Sequence, residues 1–377
     1  MRVTVIGSGF AALAAIRKLR LLDSGRKLDI SVVAPRAEFI YSPSLIWVPS
    51  GQRDRKGIAF PLQDYFRQMD VRYHPGEVKA IREHGRRVES SGGVVENDAL
   101  LIACGADYMQ KAPGIKRYAI NPCSGYPAAR AIRERVAKMD GGTIAMGFAG
   151  NPKEPTAVRG GPLFEFLFGM HTQLRREGRR KHFKLKFFTP MPQPGKRLGA
   201  KAVTGLLSAM NKRDIETHLG HKIVGFEADR IRTEGGDVAS DLTVFLPGMT
   251  GRAWFSESDM ELSPGGFFKA DETCRAIGGR RVYVAGDAGS FPGPDWRAKQ
   301  AHMAEIQAKT AASNLWAELH GREPSTGFRT ELVCIVDTLD SGMMVSRFPK
   351  FNLMLPPLRL MHFVKKAIEW KCTIPYR

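Results

Sequence analysis

Cysteine is scarce in this chain of 377 residues, and acid is in short supply. The five cysteines, Cys104, Cys123, Cys274, Cys334 and Cys372, are odd in number and widely spaced, with no C-x-x-C pair and no histidine at zinc spacing. That pattern excludes a disulfide framework and a structural metal, and it fits a reducing compartment. Asp and Glu number 38 against 57 Lys and Arg, a formal charge of +19, so the expected partner surface is acidic: phospholipid, nucleic acid or an acidic protein. No apolar run reaches the roughly eighteen residues that a membrane-crossing helix needs. The sequence also has no G-x-S-x-G elbow, no Walker A loop and no H-E-x-x-H pair, which removes the common hydrolase, NTPase and metalloprotease chemistries. The basic stretch 175–186, RREGRRKHFKLK, has Phe183 as its one stacking aromatic. It reads as a solvated or lipid-facing patch, and no nucleic-acid partner is expected.

What the chain does have begins at once. Residues 2–21, RVTVIGSGFAALAAIRKLRL, read as a buried strand, a glycine turn and an amphipathic helix. The same residues could imitate a short secretory leader, but the glycine turn inside the apolar run fits a strand–turn–helix unit better. The turn is G-x-G-x-x-A. Gly7 permits the tight bend, Gly9 lets a pyrophosphate approach the backbone, and the small Ala12 lets helix and strand pack closely while the helix N-terminus faces the anion. A second strand over Leu28–Ala34 follows. Where a ribose-binding acid would stand there is Ala34-Pro35-Arg36, so either Glu38 reaches the ribose or Arg36 contacts the adenosine end of the cofactor. Residues 35–55 are aromatic and proline-punctuated, which predicts a structured loop rather than a helix.

Residues 98–105, DALLIACG, predict a strand ending in a small-residue turn, and Pro113-Gly114 marks a boundary. Gly142–Gly147 then opens a second strand–turn–helix unit, with Leu163–Glu177 as its helix. Here a long proline-bearing loop, GFAGNPKEPTAVRGGP, replaces the glycine triplet, and the next strand, Lys184–Phe188, ends in Thr189-Pro190 without an acid. This unit is expected to keep a dinucleotide fold while binding NAD(P)H poorly. Val282–Val284 and Gly286-Asp287 supply a late strand and turn: Gly286 allows close backbone approach and Asp287 can accept from a polyol hydroxyl. A helix is predicted over Ala298–Leu315.

These pieces together resemble the sulfide:quinone oxidoreductases and flavocytochrome sulfide dehydrogenases, within the pyridine nucleotide-disulfide oxidoreductase superfamily. The resemblance covers nearly the whole chain. It rests on VIGSGFAA at 5–12, PRAEFIYSPSLIWVPSG at 35–51, LIACG at 101–105, GPLFEF at 161–166, VAGDA at 284–288 and CIVDTLDSG at 334–342. It implies an α/β fold with two Rossmann-like dinucleotide-binding domains and a C-terminal amphipathic helical segment. The implied division is 1–112 with 266–320 for FAD, 113–265 for the inserted second domain, and 321–377 for membrane docking and the quinone side.

By the same resemblance FAD lies across Gly7, Gly9, Ser42, Pro43, Gly105 and Asp287, with Lys299 near the flavin pyrimidine edge. No cysteine falls in 41–47, where flavocytochrome members attach flavin, so the FAD is expected to be non-covalent. The family uses a pair of cysteines to attack sulfide and carry sulfur. Cys334 stands where one belongs, Cys123 where many members have an additional one, and Arg159 at or near the place of the missing partner. Pro127 and Arg197 fall where some relatives have helper histidines. Glu165 matches a carboxylate beside the sulfur site and is the expected proton acceptor.

The implied activity is two-electron transfer from a small reduced donor, sulfide or another sulfur compound first, through FAD to a membrane quinone. A quinone reductase with a non-sulfur donor, and a flavin-binding membrane-associated protein with an assembly or regulatory role, stand as alternatives. The protein is expected to be cytoplasmic and peripheral (monotopic) on an anionic lipid surface, with a homo-oligomer left open. Docking falls to residues 345–377, with seven basic residues against Glu369 alone. In the predicted terminal helix Leu360, Phe363, Val364, Ala367 and Ile368 form one apolar face. Arg359, His362, Lys365, Lys366 and Glu369 point elsewhere, and Phe348, Trp370 and Tyr376 are expected at the headgroup level.

Overall fold

The computed structural model describes all 377 residues. Two five-stranded parallel sheets organise them. In the first, Arg2–Ile6 lies at the centre, paired on one side with Asp29–Ala34 and then Val71–Pro75, and on the other with Ala99–Ile102 and then Val282–Val284. Apart from Val71–Pro75 these strands are mostly apolar because the sheet is covered by helices and by the three-stranded antiparallel sheet Val78–Arg82, Arg87–Ser90 and Gly93–Glu96, whose Ile81 and Val88 join the same core. The first helix, Phe10–Leu22, buries Ala11, Ala12, Ala14 and Ala15 against a long helix, Ala301–Leu319, which answers with Ala304, Ala308, Ala311 and Ala312. Small side chains on both helices let the late strand and helix dock beside the first turn.

The second sheet runs Ala119–Ile120, Leu242–Leu246, Gly142–Phe148, Phe183–Thr189, Ile215–Leu219. Its principal helix is Gly161–Arg176. A short ladder, Asp107–Tyr108 with Met249–Thr250, ties the crossings between the two sheets. The C-terminal part adds a three-stranded antiparallel sheet, Leu332–Asp337, Gly342–Phe348 and Phe351–Met354, and then a helix, Arg359–Thr373.

Two elements depart from the sequence expectation. Residues 35–55 are not purely a loop: Glu38–Ile40 is a strand, and Ser42–Trp47 is a 3-10 helix that accepts Pro43 because an N-terminal proline has no intrahelical bond to lose. Its Leu45, Ile46 and Trp47 are buried in the core of the second sheet, so this segment clamps the two units together. The terminal helix lies where predicted, but its polar side faces the protein. Met361, His362, Glu369 and Thr373 are buried, whereas Leu360 and Phe363 are each 62% exposed and Trp370 is 59% exposed. Tyr376, expected at a headgroup level, is instead buried and bonds Arg17 through its hydroxyl.

Candidate functional site

One cleft of about 1680 Å³ runs between the two sheets. At one end is the first glycine turn. Gly7 has φ +111°, and a Cβ there would stand 2.6 Å from the Ala103 carbonyl oxygen, so the position accepts only glycine. Gly9 is different: a Cβ would meet nothing within 4 Å and would project into open space. The first helix starts there with no side-chain cap and no acid in its first turn, so its leading N–H groups remain available to an anion. Ser42, Pro43, Gly105, Gly286 and Asp287 line the same cleft. Its volume exceeds the roughly 300–1,000 Å³ of ordinary ligand pockets, which leaves room for a dinucleotide and a second ligand. An extended cofactor with a pyrophosphate fits these residues.

Arg36 does not belong to this wall. It is exposed and outside the cleft, whereas its neighbours Pro35 and Glu38 line it. The Glu38 carboxylate at the cleft wall is held by Arg55. Ala12 is fully buried behind the turn and acts through helix packing alone. Lys299 lines the cleft, but its ammonium already donates to the carbonyls of Asp287 at 3.0 Å and Gly289 at 2.6 Å and lies 4.1 Å from the centroid of the Phe267 ring. Burial pulls its pKa down to about 8.

The middle of the cleft holds an ion pair between residues far apart in sequence. Arg159, in the loop before the second helix, bonds the Asp287 carboxylate, and its other terminal nitrogen lies 3.3 Å from the Tyr108 hydroxyl. One Asp287 oxygen is taken by the guanidinium; the other, Oδ1, accepts no hydrogen bond within the protein and stays free for a hydroxyl donor. Arg159 is therefore not a free cation waiting for an anionic donor. Cys123 lies close by, and enclosure pushes its thiol up to about 11 even though Arg159 pulls the other way.

Beyond this pair the second helix presents its N-terminus and Glu165. Cys334 packs against that end: a Cβ on Gly161 would be 3.6 Å from its sulfur. Burial, and then the Glu165 charge, push the Cys334 thiol up to about 12. The Cys123 and Cys334 thiols are thus held protonated, and each needs a base to become a nucleophile. The ionisable carboxyl on this side of the cleft is Glu165. It is buried, accepts from the Asp337 N–H at 2.8 Å, and pairs with Lys365 of the terminal helix. Burial outweighs that pairing and lifts the carboxyl to about 7, in the range where a group can both take and release a proton near neutrality.

Lys365 was not singled out in the sequence. The signal was available, because His362, Lys365, Glu369, Thr373 and Tyr376 form a stripe at spacings of three and four opposite the apolar one. The stripe is buried on polar partners: His362 Nδ1 lies 2.7 Å from Asp337, Trp47 Nε1 lies 3.2 Å from the same carboxylate, and Glu369 accepts from Ser44 at 2.7 Å and from Arg53. At this end Lys365, Ile368 and Cys372 line the cleft, so it reaches the helix whose other face is apolar and exposed. No helix of the protein is long and apolar enough to cross a membrane.

A family model described as pyridine nucleotide-disulphide oxidoreductase matches residues 1–308. Among characterised proteins, the sulfide-quinone reductase of Aquifex aeolicus is 23% identical across 98% of this chain and 90% of its own. The type II NADH:quinone oxidoreductase Ndh of Mycobacterium tuberculosis is 26% identical across 86% of this chain and 74% of its own. Among solved structures, the sulfide:quinone oxidoreductase of Aquifex aeolicus superposes with a TM-score of 0.89 at 19% identity, over 98% of this chain and 90% of that one. NDH2 of Plasmodium falciparum reaches 0.77 at 12% identity, over 100% of this chain and 96% of that one.

Proposed function

This chain belongs to the pyridine nucleotide-disulphide oxidoreductase family and is an FAD-dependent oxidoreductase, and from that premise we propose that it passes two electrons from a small sulfur donor, sulfide first, to a membrane quinone. The relatives' names share quinone and differ in the electron donor, so the acceptor follows from the comparison and the donor must be argued from this chain's residues. The observation that carries the proposal is the single cleft, which joins the glycine turn, two thiols with a buried carboxyl, and a helix whose apolar face is turned outward.

Nicotinamide is disfavoured as donor. The loop between Phe148 and Gly161 has no glycine triplet, and the strand Phe183–Thr189 ends in Pro190, Met191, Pro192 and Gln193, which line the cleft with no carboxylate among them. Flavin, bound without a covalent link, supplies two-electron chemistry; the protein supplies placement and protons. Gly9 and the first helix N-terminus hold the pyrophosphate, and the free Asp287 oxygen takes a ribitol hydroxyl. Glu165 would accept the Cys334 proton, and because thiolate and hydrosulfide are both fully reduced, their S–S bond forms only as two electrons leave by way of the flavin that the cleft would hold: thiol and hydrosulfide become a persulfide, one proton and two electrons. Those electrons and two protons convert quinone to quinol, and Glu165 with Lys365 stands at the end of the cleft where protons must be delivered. The outward apolar face, Leu360, Phe363 and Ile368, rests on the membrane surface as a peripheral anchor.

A non-sulfur donor is the second reading, favoured by one feature: Arg159, which by the resemblance falls at or near the place of the partner cysteine, is engaged by Asp287. Sulfide-dependent reduction of a short-chain quinone by the purified flavoprotein separates the two. The sulfur reading expects turnover that Cys334→Ser abolishes; full turnover in Cys334→Ser sinks it.

A further inference from the structure

A second hollow, about 410 Å³, lies between the flank of the terminal helix and the end of Gly161–Arg176, and shares no lining residue with the cleft. Its walls carry Arg53, Arg176, Arg359 and Lys366. Arg53 is neutralised by Glu369, and the one acid in the hollow, Asp340, is engaged by Arg175 at 2.9 Å and by the Thr338 hydroxyl. Arg176, Arg359 and Lys366 have no carboxylate partner anywhere in the protein; the Arg176 guanidinium makes only a 3.4 Å contact to the Leu339 carbonyl. Three uncompensated cations from two helices therefore converge on one concave site. Phe363 forms part of the same wall and is 62% exposed, continuous with Leu360 and Ile368.

We propose that this hollow binds the phosphate headgroup of an anionic phospholipid while Phe363 and its apolar neighbours meet the acyl chains. The inference rests on the membrane-docking reading above and adds to it a defined site for the headgroup. Charge and surface chemistry together select this occupant. A free phosphate would satisfy the cations and leave the apolar rim in water, and a neutral surface would cover the rim and leave the cations without counter-charge. Arg and Lys from separate elements around one hollow also suit a tetrahedral anion, the guanidiniums offering forked donors and the lysine a point charge.

The test is vesicle co-sedimentation of the full-length flavoprotein, with neutral phosphatidylcholine vesicles compared with vesicles containing about one-fifth phosphatidylglycerol. Two double variants remove the same charge from the same C-terminal half of the surface: Arg359→Gln with Lys366→Gln inside the hollow, and Lys350→Gln with Lys371→Gln outside it. The hollow variant should lose at least about tenfold of its preference for anionic vesicles, with the outside variant losing markedly less and both keeping their flavin. Equal losses would mean diffuse attraction and overturn the site. Micromolar binding of soluble glycerol phosphate by calorimetry would reassign it to a free anion, and a lipid-free dimer dissolved by the hollow variant would reassign it to a second copy; either overturns the lipid assignment. If the unaltered protein binds neither kind of vesicle, the docking reading falls and this site with it. Binding without discrimination between the two variants removes the site alone.

Discussion

The two strand–turn–helix units are built alike and finished differently. In each, the first strand of a parallel sheet ends at the cleft and a helix begins there, at Phe10 in one and at Gly161 in the other. The first turn is three residues of glycine and serine that leave backbone N–H groups bare. The second is a long loop that brings in Arg159 and sets it on Asp287 of the first unit. A dinucleotide fold supplies a helix N-terminus in both cases, but only a short glycine turn makes it a pyrophosphate cradle; lengthening the loop fills the entrance and frees the helix to carry Glu165 instead.

The strongest way to sharpen this contrast is Gly9→Leu. Position 9 has φ −93° and open space in front of it, so the leucine folds in without strain and occupies the cradle. The variant should purify colourless, with its unfolding free energy within about 0.5 kcal/mol of that of the parent apoprotein. Full flavin occupancy would remove the first turn from the site.

Next comes Glu165→Gln, which should lower quinone turnover about a hundredfold and abolish the pH-rate limb near 7. The linkage sign is definite. Because the folded carboxyl is raised above its ordinary value of about 4.3, the native state holds the extra proton between there and about 7, and stability falls as pH rises through that window. Denaturant titrations across it should show a negative slope in the parent and a flatter one in the variant.

Arg159→Met probes the second turn itself. It strands the Asp287 carboxylate in a largely enclosed site and should cost about 2–3 kcal/mol by denaturant unfolding, below the range for a fully buried pair because both groups keep some solvent contact. Flavin should remain bound. The smallest effect is expected from Met191→Asp, which returns an acid near the end of the second strand. With the glycine turn still missing, NADH-driven flavin bleaching should rise by less than about tenfold; a large gain would mean that the loop was never the obstacle.

Much of the frame was legible because it is local. Alternation of apolar strands, the glycine turn and the alanine-rich helix each lie within twenty-odd residues, and their spacing specifies pairing and packing directly. Eleven of the thirteen residues singled out for the site do line one cleft, with Arg36 and Ala12 outside it. The ion pairs were not legible. Arg159 meets Asp287 across 128 positions and Lys365 meets Glu165 across 200, and no local pattern records such partnerships. The terminal helix illustrates the limit from the other side: its two stripes were visible, but amphipathicity alone does not say which stripe faces the protein. Its inward stripe is polar because Asp337, Trp47, Ser44 and Arg53 wait there with matching partners. Cutting the chain after Ser346 would therefore uncover those groups and split a strand, so replacing exposed apolar side chains is the cleaner probe of docking.

The central claim, that electrons enter from a sulfur compound rather than from a nicotinamide and leave to quinone, is tested most directly by anaerobic mixing of the purified flavoprotein with sulfide and, separately, with NADH, followed by a quinone analogue. Sulfide should bleach the flavin and the quinone should restore its colour, while micromolar NADH leaves the spectrum unchanged. Rapid bleaching by NADH with none by sulfide would contradict the account and make this protein a nicotinamide-linked quinone reductase.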